Sequence, residues 1–322
     1  MRRKTQVWLL IGTFLTVLGL VLFLVGVDQN TWDDAKRSTA EYETNIYEFD
    51  ERFKDISVQA DTADILFFPS ENEMCKIICH EQKKVKHNAF VQNETLSVVV
   101  SDTRKWYEKI TFLSLDSSYI EIYLPKTKYE KLAAECSTGD VELPKEFEFQ
   151  NIEISASTGN ILCFASAENT VQLSVSTGTV YADGIRAGMV SLSATTGDVL
   201  LKNLVCDGEM QINVSTGRVD LEIVRCGTLV SEGSTGDISF AYTTVDEKLS
   251  VVRSTGDVRF ENADAAEIFI ETSTGDVEGG LLSEKVFFTE SDTGTINVPK
   301  TMTGGKCEIK TDTGNIEIEI AE

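Results

Sequence analysis

The residues best suited to chemistry are few enough to follow one by one: seven cysteines and two histidines in 322 residues. Cys75, Cys79, His80 and His87 crowd into "CKIICHEQKKVKH", and thiolate with imidazole is the usual protein set for zinc. No Cys-x2-Cys pair occurs twice, however, and if "CKIICH" is a strand, Cys79 and His80 face opposite ways. These four residues are therefore expected to be structural, and no metal site is assigned to them. Cys75 and Cys79 share a strand face about 13 Å apart, too far for a bridge. Seven thiols cannot all pair within one chain.

A second candidate is a column of aspartates, each directly after a Thr-Gly pair: Asp140, Asp198, Asp237, Asp257 and Asp276. The last three fall in successive repeats, so they stack as a ladder of like charges that costs energy unless donors or a cation neutralise it. Calcium is the cation that carboxylate oxygens suit, and Asp237, Asp257 and Asp276 are its candidate ligands. Calcium-binding β-rolls use denser nine-residue Gly/Asp repeats, so a competing reading has each Asp capping its own turn. Arg218 stands in the same column and relieves repulsion there. Catalysis has little to build on. Both histidines precede the repeats, and there is no Gly-x-Ser-x-Gly elbow, His-Glu-x-x-His or phosphate-cradling glycine loop. Carboxylate pairs are plentiful, but a repeat makes such pairs by accident. The chain is not expected to be an enzyme.

The elements that position these residues are set by a repeat. The Thr-Gly glycines are Gly139, Gly159, Gly178, Gly197, Gly217, Gly236, Gly256, Gly275, Gly294 and Gly314, spaced by 19 or 20 residues. Seven residues before each glycine the chain is apolar throughout, from Leu132 to Cys307. Two residues after each it is always Val or Ile, from Val141 to Ile316. The inward positions are thus odd offsets before the glycine and even offsets after it. Because a strand alternates faces strictly, the chain changes phase at Thr-Gly, which a tight turn with φ > 0 at glycine achieves. The pattern predicts an all-β fold: a β-solenoid of about ten coils, 132–322, stacked some 4.8 Å apart with hydrogen bonds between coils. Cys136, Cys163 and Cys307 fall on inward positions as small hydrophobes. Cys206 and Cys226 each lie nine residues after a corner glycine in consecutive coils, so their Cα atoms stack about 5 Å apart. A disulfide and two buried thiols fit this pair equally. The last coil ends "NIEIEIAE", and Glu317 and Glu319 are expected to guard a terminal edge against strand pairing.

Ahead of the repeats, residues 46–131 carry short β-branched runs ("ADILFFP", "CKIIC", "YIEIYLP") that predict a β-rich cap, and 28–45 is a polar linker. Residues 7–27 hold no charged side chain and as a helix reach about 31 Å, enough for a bilayer core. The apolar region of a cleaved signal peptide is shorter, about 7–15 residues, so an uncleaved transmembrane helix is expected. Arg2, Arg3 and Lys4 keep a six-residue tail in the cytoplasm (1–6) and the bulk of the chain outside the cell membrane. Gly12, Gly19 and Gly26 share one helix face, which fits helix pairing as well as the ordinary glycine content of membrane helices. From Asp28 onward there are 26 basic and 52 acidic residues. That balance repels phosphate backbones and excludes nucleic acid as a partner.

The anchor, the cap ending "IEIYLP" and the repeated "STGDV" coils resemble the bacterial "putative adhesin" family of membrane-anchored β-repeat proteins. The resemblance implies surface exposure and adhesion, and supplies no catalytic residues. The expectation is a non-catalytic, single-pass surface protein, adhesin-like or a scaffolding rod, whose partners are the membrane and a surface or membrane protein. Two alternatives stand beside it: an extracytoplasmic sensory subunit of a membrane-stress system, which needs a membrane partner, and a polysaccharide-active enzyme with a carboxylate cleft.

Overall fold

The computed structural model describes Thr16, residues 41–104 and residues 118–321. Except for Thr16, the expected span 7–27 lies outside these residues, and so does the tail 1–6. Among the described residues no helix is long and apolar enough to cross a membrane. What is described is all-β, with 25 strands joined in one wound sheet.

The coils follow from the Thr-Gly corner. A longer strand leads into it (Ser166–Thr177, for example) and a short strand leaves it (Val180–Asp183). Each pairs in parallel with its counterpart one coil on. Burial alternates as the phase change requires. Val171, Leu173 and Val175 are buried before the corner, and Val180 and Ala182 after it. A third wall, unforeseen in the sequence, carries Ile185, Ala187, Leu204, Cys206, Val224, Cys226, Val245 and Ala265 inward. The three walls enclose one continuous core, where each buried Val, Leu or Ile contributes about 1.5–3 kcal/mol by leaving water. The one-residue slack in the repeat is absorbed after the third wall, where register shifts fall between Cys206/Glu209, Cys226/Leu229 and Val245/Lys248.

Glycine is required at the corners for two reasons. The ten corner glycines have φ between +131° and +158°, a region L-residues avoid. They also stack on one another. A Cβ on Gly217 would sit 2.0 Å from the carbonyl oxygen of Gly197, and one on Gly236 would sit 1.9 Å from that of Gly217. A second corner, six residues further on, is left-handed in five successive coils: Gly184, Asn203, Ile223, Tyr242 and Asn262, with φ of 48–70°.

Both ends of the rod are interleaved. The corner column starts at Ala63, in "DTAD" rather than at Gly139. The strands Asp55–Thr62 and Asp64–Pro69 pair in parallel with the first repeat, so the solenoid begins inside the segment expected to be cap. The next coil along the chain, Thr95–Asp102 with Tyr119–Leu124, lies outside this one. At the other end the last coil, Gly305–Thr313 and Ile316–Ile320, is inserted between Val258–Leu281 and Lys285–Asn297. Glu317 and Glu319 therefore do not guard the end of the rod. Their strand pairs along its whole length with Val277–Leu281 and also meets Ile296–Asn297. The outermost strand is Lys285–Thr293.

Candidate functional site

The aspartate column is built from corners stacked one per coil. The backbone N–H of Asp257 donates to Asp237 Oδ1 at 2.9 Å, that of Asp276 to Asp257 Oδ1 at 2.9 Å, and that of Asn315 to Asp276 Oδ1 at 2.7 Å. The same bond runs from Asp140 to Asp64, from Asn160 to Asp140 and from Arg218 to Asp198. Each side chain thus satisfies the N–H of a neighbouring coil, which corrects the expectation that it caps its own turn. The second carboxylate oxygens of Asp198, Asp237 and Asp257 meet arginines. Arg259 Nη2 lies 2.6 Å from Asp257 Oδ2 and its Nη1 3.3 Å from Asp237 Oδ2, while its Nε donates to Glu278 at 2.9 Å. The bond to Glu278, with the two aspartates, raises the guanidinium pKa above its already high ordinary value. Arg218 Nη2 reaches Asp198 Oδ2 at 3.2 Å. Donors from the protein itself therefore meet the charge ladder Asp237–Asp257–Asp276, where the sequence left donors and calcium as alternatives.

Along the wall that follows the corner, two concavities of about 520 and 550 Å³ share Ser239, Ala241 and Glu261 and so form one groove. Its carboxylates include Asp220, Glu222, Glu261, Glu278, Glu317 and Glu319, against Lys202, Arg218 and Arg259. Successive coils place these side chains about 4.8 Å apart, so the groove presents a graded, mainly negative strip. Sequence reasoning counted the charge without locating it, since a two-residue alternation assigns a face but not a neighbour.

All seven cysteines are buried thiols. Cys206 and Cys226 are register partners, as their spacing requires, and both are free. Cys206 Sγ donates to the Glu209 carbonyl at 3.2 Å. Burial pushes Cys75, Cys79, Cys163, Cys226 and Cys307 up to about 12. In the strand Cys75–Gln82 the two cysteines point inward. His80 points away, stacked between Tyr42 and Tyr119 at 5.3 and 5.1 Å. His87 is inward and meets Glu81, a residue the Cys/His spacing argument passed over.

Solved structures similar to this chain include the following three. A "putative adhesin" from Parabacteroides distasonis is similar at 10% identity and a TM-score of 0.47, over 84% of this chain and 97% of that one. A second "putative adhesin", from Bacteroides fragilis, is similar at 11% identity and 0.38, over 87% and 97%. A "putative lipid binding protein" from Parabacteroides distasonis is similar at 11% and 0.34, over 84% and 96%. No curated protein matches. The family model of Toastrack DUF4097 matches residues 53–319, from the coil that carries Ala63 to the inserted last strand, and the chain belongs to that family.

Proposed function

We propose that the protein is a non-catalytic surface rod, held in the cell membrane by residues 7–27, which presents the acidic groove to a cationic partner outside the cell. The observation that carries this reading is the continuity of the groove. Concavities on neighbouring coils share Ser239, Ala241 and Glu261, so an extended ligand meets carboxylates at regular intervals along a rigid wall. Association of this kind is steered by the summed field and weakens as salt screens it. An adhesin-like or scaffolding role follows from a rigid, repeated and mainly negative surface.

The test uses the full chain in detergent, immobilised and exposed to purified wall polymers, capsular glycans and cationic polypeptides. Retention of at least one ligand is expected, falling with salt and reduced by the combined variant Glu261→Gln, Glu317→Gln and Glu319→Gln. Retention of none, or binding indifferent to both the variant and salt, would remove the support for this reading.

A further inference from the structure

The wall that follows the Thr-Gly corner breaks the alternation of polar and apolar residues over its first eight strands. In stacking order these are Tyr42–Phe49, Cys75–Gln82, Tyr119–Leu124, Asp64–Pro69, Val141–Leu143, Ile161–Cys163, Val180–Asp183 and the start of Val199–Thr216. Cys75–Gln82 is also one arm of a hairpin whose other arm, Val85–Gln92, continues a different wall. One outward row holds Ile46 and Ile78 at the cap end, Leu66 in the middle, and Leu162, Tyr181 and Leu200 beyond, with Glu121 and Glu142 between them. Ile46 is 56% exposed and the other apolar members are half-buried. In the same coils the wall before the corner turns Gln172, Ser174, Ser191 and Ser193 outward instead. Strands that are apolar on both faces are those a second layer covers, and a contiguous outward apolar patch is the mark of an interface.

The neighbouring outward row identifies the cover. It begins Glu48, Lys76, Tyr123 and Phe68, which are register partners in turn. Two residues beyond the partners Leu66 and Glu142 it reaches Pro144, then Phe164, and it ends with the partners Asp183 and Lys202. Charges alternate at each end and rings fill the middle, where Phe68 stacks on Tyr123 at 5.2 Å. This row complements itself when reversed. A two-fold axis along the strands, between Asp64–Pro69 and Val141–Leu143, inverts the stacking order. It sets Glu48 against Lys202, Lys76 against Asp183, Tyr123 against Phe164 and Phe68 against Pro144. In the first row Ile46 then faces Leu200 and Ile78 faces Tyr181. The poor matches are Glu121 with Leu162 and Glu142 with Leu66, and Glu121 already accepts from the Tyr123 hydroxyl at 3.1 Å. A two-fold interface requires a self-complementary patch of this kind. An axis along the rod would instead lay one acidic groove on the other, which like charge opposes.

We propose that this wall pairs two copies of the chain face to face, with their stacking orders opposed and with Lys76–Asp183 and Glu48–Lys202 as ion pairs between copies. Lys202 also keeps Glu222 of its own chain at 2.7 Å. The paired area is about 34 Å along the stack by about 13 Å along the strands. Two copies therefore cover about 900 Å² before side-chain relief is added, near the roughly 1,000 Å² a specific interface needs. A reversible dimer of about micromolar affinity follows. Glu261, Glu278, Glu317 and Glu319 lie beyond the paired half, so the dimer leaves the groove open and does not depend on its having a ligand.

The test is sedimentation velocity of the full chain in density-matched detergent over about 1–100 µM. A shift from one to two copies per particle, reversed on dilution, is expected of the wild-type chain, a readout that needs no variant to fold. Lys76→Glu makes two like-charge contacts in each dimer and should weaken it about tenfold or more. Asp183→Lys should do the same, and the double variant should restore the wild-type dissociation constant. Thermal midpoints taken alongside confirm that each variant is folded. Single copies throughout the range, a dimer indifferent to both single variants (the sign of pairing through residues 7–27), or a double variant as weak as the single ones would overturn the interface.

Discussion

Replacing Gly217 by alanine separates the two reasons for glycine at the corner. Gly217 has φ +146°, and its Cβ would lie 2.0 Å from the Gly197 carbonyl oxygen. That is more than 1 Å inside ordinary contact, and the corner cannot move freely because its N–H is bonded at 2.9 Å to the Thr235 carbonyl of the next coil. The conformational strain is of order 1–3 kcal/mol and the forced shift about 1–3 kcal/mol. The stiffer unfolded chain returns about 0.4–1 kcal/mol. The expected loss is about 2–5 kcal/mol. Gly184 is the control, with φ +70° and nothing within 4 Å of an added Cβ. There Gly184→Ala meets only the left-handed penalty of about 1–2 kcal/mol, less the same return, for about 1 kcal/mol. Urea midpoints and thermal melts of the two purified full-length variants, followed by circular dichroism, measure the difference. At about 2–4 °C per kcal/mol for a domain of this size, Gly217→Ala should melt at least about 4 °C below wild type. Equal losses for the two variants, or a loss under about 1 kcal/mol for Gly217→Ala, would refute the stacked-corner argument.

Ile223 is a β-branched residue held at φ +58° with its side chain 54% exposed, so Ile223→Asn should stabilise by about 1 kcal/mol in the same melts; a loss would show that its apolar contacts outweigh the strain. Lys285 is 2% exposed and ion-paired to Asp264 at 2.6 Å, and Asp264→Asn strands a buried ammonium at a cost of about 3–5 kcal/mol, measurable as a lower urea midpoint. The raised thiols make the fold sensitive to alkali. With folded values of about 12 for Cys163, Cys226 and Cys307 above an unfolded value near 9, their contribution is whole below about pH 9 and is lost as pH rises toward 12. The loss is on the order of 1 kcal/mol per pH unit for each thiol. Midpoints should fall between about pH 9 and 11, with a shallower fall in Cys163→Ala, and an unchanged slope in that variant would contradict the assignment.

The Thr-Gly corners could be read from the sequence because two constraints, the left-handed-side φ and the contact with the glycine of a neighbouring corner, act on the same residue in each repeat from Gly159 on. Where only one constraint acts, the signal fades. The second corner admits Ile223 and Tyr242 beside Gly184, Asn203 and Asn262, so no residue type repeats there. Ala63 heads the column in a coil without the glycine marker, and its "DTAD" passed as cap. The aspartate bonds join different coils, and residue offsets do not fix their relative height. Glu81 and His87 meet only because the hairpin places its arms on different walls, which the spacing of Cys75, Cys79, His80 and His87 does not encode.

The order of the coils was equally hidden, since coils with the same inward pattern can exchange places in a stack without altering any offset. What separates them is edge chemistry. An outermost parallel strand presents unpaired N–H and C=O groups, and natural sheets blunt such edges with charges, including charges that point inward. The strand Lys285–Thr293 has these marks. Glu290 and Asp292 are exposed along it, and Lys285 points inward to Asp264. Its core column carries Thr289 where the deeper coils carry Val251, Ile270 or Ile309. A half-solvated Thr suits an end layer, whereas a polar residue at this position in a deep coil needs a buried partner, as Ser231 has in Arg253. The apolar coil of Cys307, Ile309, Ile316 and Ile318 belongs inside, where all four are buried. Inserting residues 305–320 there pairs them on both sides over 307–313, while the weaker outer coil is tethered by chain at both its ends.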